Sequence, residues 1–284
     1  MSAKHTVKQL EDIASQVRRD IVRMVHAVQS GHPGGSLGCS DLLVALYHEV
    51  MDYQPKPFNM VGNNEDIFIL SNGHISPVLY SSMARAGIFE VSELATFRKL
   101  NSRLQGHPAT HEHLEGVRIA SGSLGQGLSV ATGIALSKRM NNDPKMVYCL
   151  MGDGELEEGQ NWEAIMFAAH NKVDNLIGIV DFNGQQIDGS TANIMGLTEI
   201  KDKFEAFGWL TMDMDGNNMA NVVDTLAKAK TISGKGKPVL IKMKTEMGAG
   251  VDFMMGSHEW HGIAPNNDQL ANALAQLPEK MGDY

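Results

Sequence analysis

Apolar residues recur at helical spacing near the start of the chain. Between Lys8 and Gly31 the hydrophobic side chains lie three or four positions apart, at Leu10, Ile13, Val17, Ile21, Met24, Val25 and Val28. This spacing places them on one face of a helix, and Gly31 lies where a left-handed terminator is expected. A second helix is predicted from Ser40, its N-cap, to Val50, after a glycine-rich turn from Gly31 to Gly38.

Short apolar runs alternate with helical stretches along the rest of the chain. Continuous apolar runs are typical of strands that are buried on both faces of a parallel sheet. The predicted strands are 66–70, 146–151, 176–181 and 239–243, with 209–214 as a further candidate. The predicted helices are 75–86, 125–139, 162–171 and 220–231. The alternation predicts an α/β fold with a doubly wound, mostly parallel sheet flanked by helices, whose ligands bind beyond the carboxyl ends of the strands.

The composition limits the number of domains and the kinds of partner. The 284 residues are 43% hydrophobic and contain no visible linker or repeat, so we expect a single domain over residues 1–284. A net charge of −9 argues against nucleic acid or an anionic membrane as the partner. No apolar run reaches the roughly 20 residues of a membrane span, and the first residues lack a signal peptide's apolar core, so a cytoplasmic location is expected. Cys39 and Cys149 are predicted to be buried free thiols.

Oxygen-bearing side chains follow two of the predicted strands. Gly152-Asp153-Gly154 follows the run that ends at Met151, and Asn183-Gly184 follows the run that ends near Asp181. If these strands are neighbours, a carboxylate and an amide oxygen meet at one point, which suits Mg²⁺ or Ca²⁺, and a backbone carbonyl of the second loop supplies another ligand. A simple turn is the commoner reading of Gly-Asp-Gly alone. The separation of Asp153 from Asn183 by one helix and one strand, as a βαβ crossover requires, favours the metal site.

The two loops resemble a known motif. Gly152-Asp153-Gly154 followed by Asn183 is similar to the thiamine diphosphate motif that transketolases share with 2-oxo-acid dehydrogenases and related enzymes. Five further motifs, taken in order, resemble transketolases specifically, and the similarity extends from the first helix to about Pro265. These motifs are Ser30-Gly31-His32-Pro33-Gly34-Gly35, Ser71-Asn72-Gly73-His74, Gly106-His107-Pro108, Gly122-Ser123-Leu124-Gly125-Gln126-Gly127 and His258-Glu259-Trp260-His261-Gly262.

The resemblance implies roles for particular residues. It implies that Mg²⁺ or Ca²⁺ is held by Asp153, Asn183 and the backbone carbonyl of Gln185. The residues implied to bind thiamine diphosphate are His74, Gly122, Ser123, Leu124, Gly154, Asn183 and His261. His32, His107 and His261 are implied to line the substrate channel as catalytic residues, where hydrogen-bond donors and a base with a pKa near neutrality are needed. Ser123 and Gln185 depart from the commoner residues of the family, which leaves the substrate range open.

An acidic cluster follows the metal motif, at Glu155, Glu157, Glu158 and Glu163. We expect a solvated helix start, because carboxylates favour the positive end of a helix. In the family, the glutamates that match Glu158 and Glu163 lie at a subunit interface.

The resemblance also implies a partner. Full-length transketolases activate the cofactor with a glutamate of a pyrimidine-binding domain, whereas 22 residues follow Gly262 here. A second polypeptide is therefore expected to supply that domain, in an α2β2 assembly, and the chain alone is expected to be inactive. The implied reaction transfers a two-carbon ketol unit from a ketose phosphate to an aldose phosphate. The pentose phosphate pathway is the default context, and an enzyme for an uncommon sugar is the alternative.

Other functions fit the sequence less well. The α subunit of a 2-oxo-acid dehydrogenase shares the metal motif, but the histidines in glycine loops argue against it. Deoxyxylulose-phosphate synthase is a closer relative, normally built as a single chain. A nucleotide-binding protein is disfavoured because no GxGxxG follows the first strand and no Walker loop occurs.

Overall fold

A computed structural model describes residues 4–284, which contain a five-stranded parallel sheet. The strand order is β1-β2-β3-β7-β6, and every neighbouring pair is parallel. A two-stranded antiparallel hairpin, β4 and β5, follows β3. The strands are β1 Ile67–Leu70, β2 Val147–Gly152, β3 Leu176–Phe182, β4 Gln185–Gln186, β5 Gly189–Ser190, β6 Leu210–Asp215 and β7 Val239–Lys244. The predicted strands, including the candidate at 209–214, are confirmed with small shifts of their ends.

Ten α-helices flank the sheet within the described part of the chain. They are α1 Val7–Val28, α2 Pro33–Gly38, α3 Ser40–Ala45, α4 Ser76–Arg85, α5 Gly127–Met140, α6 Gly159–His170, α7 Thr191–Met195, α8 Ile200–Phe207, α9 Met219–Ile232 and α10 Asn267–Gln276. A π-helical turn, Leu46–Val50, extends α3, and 3₁₀ turns at Gly73–Ile75, Gly154–Glu157 and His258–His261 lie near the ends of the strands or in the last loops.

The sheet is buried on both faces. Successive side chains of a strand point to opposite faces. In β1, Phe68 and Leu70 pack in a core with α1, α3, α4 and α9, while Ile67 and Ile69 pack in a second core with α5, α6 and α8. The doubly wound α/β architecture is therefore confirmed. That residues 1–284 form one domain stays a prediction.

The loop before α3 differs from expectation. Gln29, with φ of 49°, takes the left-handed position at the end of α1 that was expected for Gly31. Residues 33–38 are helical rather than a turn, with Pro33 at a first helical position, where proline is favoured. Ser40 is not a cap: its hydroxyl lies inside the helical region and donates to Ser36 O at 3.0 Å. Glycine is required at position 34, because a Cβ there would lie 2.6 Å from Met247 Cγ and 2.8 Å from Trp260 O.

Three helices in the last third of the chain were not predicted: α7, α8 and α10. Gly208 ends α8 in the left-handed region, and a capping box formed by Asn266 and Gln269 begins α10. Both are recognisable terminal signals in the sequence. Cys39 and Cys149 are buried free thiols, as predicted. Within residues 4–284, no helix combines the length and apolarity that a bilayer span requires.

The segment after α10 packs on α1 through charged groups. Arg19 donates to both carboxylate oxygens of Asp283, at 3.0 and 2.6 Å, and to the carbonyls of Leu274 and Leu277. The hydrogen bond from Arg19 is the main cause that lowers the pKa of Asp283 to about 2.

We expect this ion pair to make stability depend on pH. Because the folded pKa lies below the ordinary value of 3.8, the contribution of Asp283 is complete above about pH 4 and is lost as the pH falls toward 2. After allowance for solvent screening, Asp283→Asn should lower the free energy of unfolding at pH 6 by about 1 kcal/mol. Urea unfolding of both proteins at pH 6 and pH 2.5 measures this. A difference that stays constant between the two pH values would contradict the assignment.

Candidate functional site

A cavity of about 360 Å³ lies at the carboxyl ends of the strands. The loops after β1, β2 and β3 meet there, together with the loops that precede α2, α5 and α10. Nine of the sequence-predicted site residues line the cavity: His32, His74, Gly122, Leu124, Asp153, Gly154, Asn183, Gln185 and His261. His107 and Ser123 do not line the cavity but lie next to residues that do. The His107 ring lies against Gly122, and Ser123 stands between Gly122 and Leu124 in the sequence. The motifs thus converge on one place.

The Asp153 and Asn183 loops are neighbours, as the metal prediction required. Strands β2 and β3 pair in register from Val147 opposite Leu176 to Gly152 opposite Asp181. The amide of Asp153 donates to Asp181 O at 3.1 Å. The Asp153 carboxylate accepts from the amides of Gly154, at 2.9 Å, and Gly184, at 2.7 Å, and so joins the two loops.

The Asp153 carboxylate is in an unusual electrostatic setting. Its side chain is buried, and burial, followed by the nearby charge of Asp181, raises its pKa to about 7. Asp181 is itself fully buried, and burial raises its pKa as well. Among the described residues, no lysine or arginine lines the cavity, whereas five carboxylates do: Asp153, Glu155, Glu157, Glu158 and Asp181. Buried carboxylates without a basic partner are costly unless they take up a proton or a cation binds beside them.

Asn183 is held by its neighbours. Its Nδ2 donates to Asp181 Oδ2 at 2.9 Å, and its Oδ1 accepts from the amide of Gln185 at 2.9 Å. Gly184 turns the chain into the β4–β5 hairpin with φ of 73°. The amide oxygen and the Gln185 backbone therefore belong to one tight turn beside Asp153.

Four histidine rings form a cluster, and three of them, those of His32, His74 and His261, line the cavity. The ring of His32 lies 5.0 Å from that of His74, 5.5 Å from His261 and 6.4 Å from His107, between centroids. The rings of His74 and His261 stack at 5.0 Å. The sequence placed these histidines in four separate glycine-containing loops, and the fold brings them together.

Burial keeps these histidines neutral. It lowers the pKa of His32 to about 4, with further contributions from His261 and Arg98. It also lowers the pKa of His74 well below the ordinary value, and that of His107 and His261 to a smaller extent. For His32 the expected pKa near neutrality is therefore wrong, because a desolvated imidazole disfavours its charged form. At neutral pH each ring has one donor and one acceptor nitrogen.

Several polar atoms of the cavity wall are buried without a hydrogen-bond partner in the described residues. They are His32 Nδ1, His261 Nδ1, Asn72 Oδ1 and Glu157 Oε1. An unsatisfied buried polar atom costs about 1–3 kcal/mol. Their concentration around one cavity indicates a polar ligand.

The loop before α5 approaches its neighbours closely through glycine. Gly122 has φ of 110°, and a Cβ there would lie 2.3 Å from Cδ2 of His107. At Gly73, a Cβ would lie 2.5 Å from Ser121 Oγ. Larger residues at these positions would push the 121–124 segment away from His74 and His107.

The acidic cluster is only partly solvated. Glu158 and Glu163 are exposed, but Glu155 is buried, so the expectation of a solvated helix start is wrong for that residue. The sequence carried no signal for this burial, which arises because the turn Gly154–Glu157 directs Glu155 toward the loops after β1 and before α5.

Comparison with known proteins is consistent with this geometry. Residues 10–281 match the family model described as transketolase, thiamine diphosphate binding domain. The chain belongs to the transketolase family.

Transketolase-family relatives of two sizes resemble the chain. A protein of Actinobacillus succinogenes that is named as one of the subunits of apulose-4-phosphate transketolase is 38% identical over 96% of this chain and 97% of its own length. The 6-deoxy-6-sulfo-D-fructose transketolase subunit of a Clostridium species is 36% identical with the same coverage. Human transketolase is 35% identical, but the matched region is 41% of its length. The chain therefore has the length of named subunits and spans less than half the length of human transketolase.

A solved transketolase structure has the same fold. The crystal structure of Campylobacter jejuni transketolase superposes with a TM-score of 0.88 at 33% identity, covering 96% of this chain and 43% of that one. This transketolase-family chain therefore corresponds to the N-terminal, thiamine diphosphate-binding part of the longer enzymes.

Proposed function

We propose that the chain holds thiamine diphosphate through a divalent cation and, with a second subunit, transfers a two-carbon ketol unit from a ketose to an aldose. The observation that carries the proposal is the buried Asp153 carboxylate at the junction of β2 and β3, in a cavity that no lysine or arginine of the described chain lines. The family membership supports the cofactor, and this geometry supports the cation.

The charge of the cavity requires a cation if a diphosphate is to bind. Five carboxylates line it, and the three lining histidines are held neutral by burial. An anionic diphosphate would be repelled by such a wall. A divalent cation between wall and ligand neutralises both. Asp153 Oδ, Asn183 Oδ1 and the Gln185 carbonyl are hard oxygen donors of the kind that Mg²⁺ and Ca²⁺ prefer, so the residues fit the ion.

The remaining cavity residues suit the rest of the cofactor and a sugar. The backbone around Gly154 and the His74 and His261 rings would face the diphosphate, and Gly122, Ser123 and Leu124 would cover the ring end. When bound, thiamine diphosphate supplies the nucleophilic carbon of the reaction. The neutral rings of His32, His107 and His261 can donate a hydrogen bond to a carbonyl or alkoxide oxygen and accept a proton from a hydroxyl.

Surface features support an assembly with other subunits. Ile187, on the cavity wall, and Ile263, beyond His261, are 58% and 54% exposed, which suits coverage by a partner that completes the active site. On α6, Met166 and Phe167 are exposed near Glu163, a surface that suits a second copy in an α2β2 assembly. Relatives of the same length are named as subunits.

The identity of the sugar is the least constrained part of the proposal. Two relatives are named for apulose 4-phosphate and 6-deoxy-6-sulfo-D-fructose. We therefore propose uncommon anionic sugars, as well as pentose phosphates, as candidate substrates. Because no lysine or arginine of the described chain lines the cavity, the partner is proposed to bind the anionic end of the sugar.

Purification of the native complex tests the activity. The subunit that co-purifies with the chain is identified by mass spectrometry, and ketol transfer is assayed with thiamine diphosphate, Mg²⁺ and a panel of ketose donors. We expect transfer by the complex and none by the chain alone. Oxidative decarboxylation of a 2-oxo acid without ketol transfer would contradict the proposal and favour a dehydrogenase subunit.

Cation binding is expected to depend on pH. The metal binds the ionised carboxylate, and with a pKa of about 7 Asp153 is mostly protonated at pH 6 and mostly ionised at pH 8. The apparent dissociation constant for Mn²⁺ should therefore be about 10-fold higher at pH 6 than at pH 8. Titration of the chain with Mn²⁺, monitored by electron paramagnetic resonance, measures this constant. An affinity that is equal at both pH values would contradict a metal ligand with this raised pKa.

A further inference from the structure

Glu155 connects three separate loops of the cavity wall. Its Oε1 accepts from the hydroxyl of Ser71, after β1, and from the amide of Gly125, before α5, at 2.8 Å. Its Oε2 accepts from the amide of Gly152, at the end of β2, at 3.1 Å. One side chain thus receives hydrogen bonds from its own loop, at Gly152, and from two segments that are distant in the sequence, at Ser71 and Gly125.

The connection extends into α5. Ser71 Oγ, which donates to Glu155, accepts from the amide of Gly127 at 3.1 Å. The approach is close, because a Cβ at Gly127 would lie 2.4 Å from Ser71 Cβ. The first turn of α5 therefore packs against Ser71. The Glu155 carboxylate lies near the positive end of this 14-residue helix.

The same segments carry residues of the cofactor cavity. Asn72 and His74 follow Ser71, Gly122 and Leu124 precede Gly125, and all four line the cavity. Glu155 lines it as well and is only 2% exposed. Burial raises its pKa, and the hydrogen bonds from Ser71, Gly125 and Gly152 act in the opposite direction. A buried carboxylate that has only neutral hydrogen-bond donors around it lowers the stability of the fold, and an apolar residue in its place would give a more stable core.

We infer that Glu155 is a positioning residue, whose carboxylate fixes the 122–127 segment against the loops after β1 and β2 and so sets the shape of the cavity that receives the cofactor. The inference rests on the proposed cofactor site. It assigns to a residue outside the metal and histidine sets the task of orienting Gly122, Leu124 and the start of α5. Both oxygens of Glu155 accept hydrogen bonds, which an amide side chain cannot do because its nitrogen only donates.

Hydrogen exchange of the full chain tests the positioning role directly. In Glu155→Ala, the amides of Gly125 and Gly127 should exchange at least about 10-fold faster than in the wild type, while α9, on the opposite face of the sheet, should be unchanged. Glu155→Gln keeps one acceptor oxygen, so it should restore protection at Gly125 but leave Gly152 exchanging fast. Glu11→Gln, at an exposed glutamate of α1, is the matched control and should match the wild type.

Binding of thiamine diphosphate with Mg²⁺ to the native complex provides the second measurement. The dissociation constant should rise about 10-fold in Glu155→Ala and less in Glu155→Gln. If wild-type protein binds no cofactor, the proposed function fails, and the exchange result still decides whether Glu155 fixes the loop. Unchanged exchange at residues 122–127 in folded Glu155→Ala, or faster exchange throughout the chain, would overturn the inference. If Glu155→Ala does not fold, hydrogen exchange at residues 122–127 in Ser71→Ala and Glu155→Gln decides whether Glu155 fixes this segment.

Discussion

Replacement of Asp153 by asparagine is expected to weaken binding of thiamine diphosphate in the presence of Mg²⁺ by at least about 100-fold. The substitution keeps the size of the side chain but removes the one anionic ligand among the three proposed donors, and hard divalent cations depend strongly on carboxylate charge. The same change makes the cavity wall less negative. Without metal, the variant should therefore bind the diphosphate no worse than the wild type.

The variant is thus expected to bind the cofactor much more weakly with Mg²⁺ but no worse without it. This difference distinguishes a metal ligand from a turn residue. If Asp153 were merely part of a Gly-Asp-Gly turn, loss of its charge would leave binding unchanged or improve it under both conditions. Isothermal titration of the native complex with cofactor, with Mg²⁺ and with a chelator, provides the four affinities. Asp188→Asn is the matched control, since Asp188 is an exposed carboxylate of the β4–β5 hairpin. Equal losses in Asp153→Asn with and without metal would contradict the metal role.

Replacement of His32 by alanine is expected to lower kcat/KM for ketol transfer by about 100-fold, within the range contributed by a general acid or base. His32 is the histidine whose ring lies within 6.4 Å of the other three. Because burial holds its pKa at about 4, it is neutral at the working pH and can accept a proton.

Steady-state ketol transfer at saturating thiamine diphosphate measures this effect. His111→Ala is the control, since the His111 side chain is 79% exposed. The affinity for the cofactor should change little in His32→Ala, because its proposed partner is the sugar. A loss of less than about threefold in kcat/KM would show that His32 takes no part in the chemical steps of ketol transfer.

Much of the architecture was predictable because it depends on local pattern. Buried parallel strands give unbroken apolar runs, so β2 and β3 were recognisable, and polar residues directly after them had to meet at one sheet edge. This is why Asp153 and Asn183 were placed together correctly. The glycines next to His32, His74 and His107 identified loops, and the resemblance to a family assigned those loops to one cavity.

Other features depend on contacts between distant segments and left no local signal. The Gly31–Gly38 segment has the composition of a turn, yet packing against Met247 and Trp260 makes part of it helical. Glu155 belongs to an acidic run typical of a solvated helix start, but packing against the loops after β1 and before α5, which donate through Ser71 and Gly125, buries it. The low pKa of His32 follows from desolvation among other rings, which spacing along a chain cannot indicate.

The most direct test of the account is a crystal structure of the native complex grown with thiamine diphosphate and Mn²⁺, with anomalous diffraction recorded to locate the metal. We expect one Mn²⁺ peak in the cavity, at about 2.1 Å from the Asp153 carboxylate and from Asn183 Oδ1, a distance typical of small divalent cations. A cofactor bound in the cavity with no metal at Asp153, or a metal held elsewhere, would contradict the central claim.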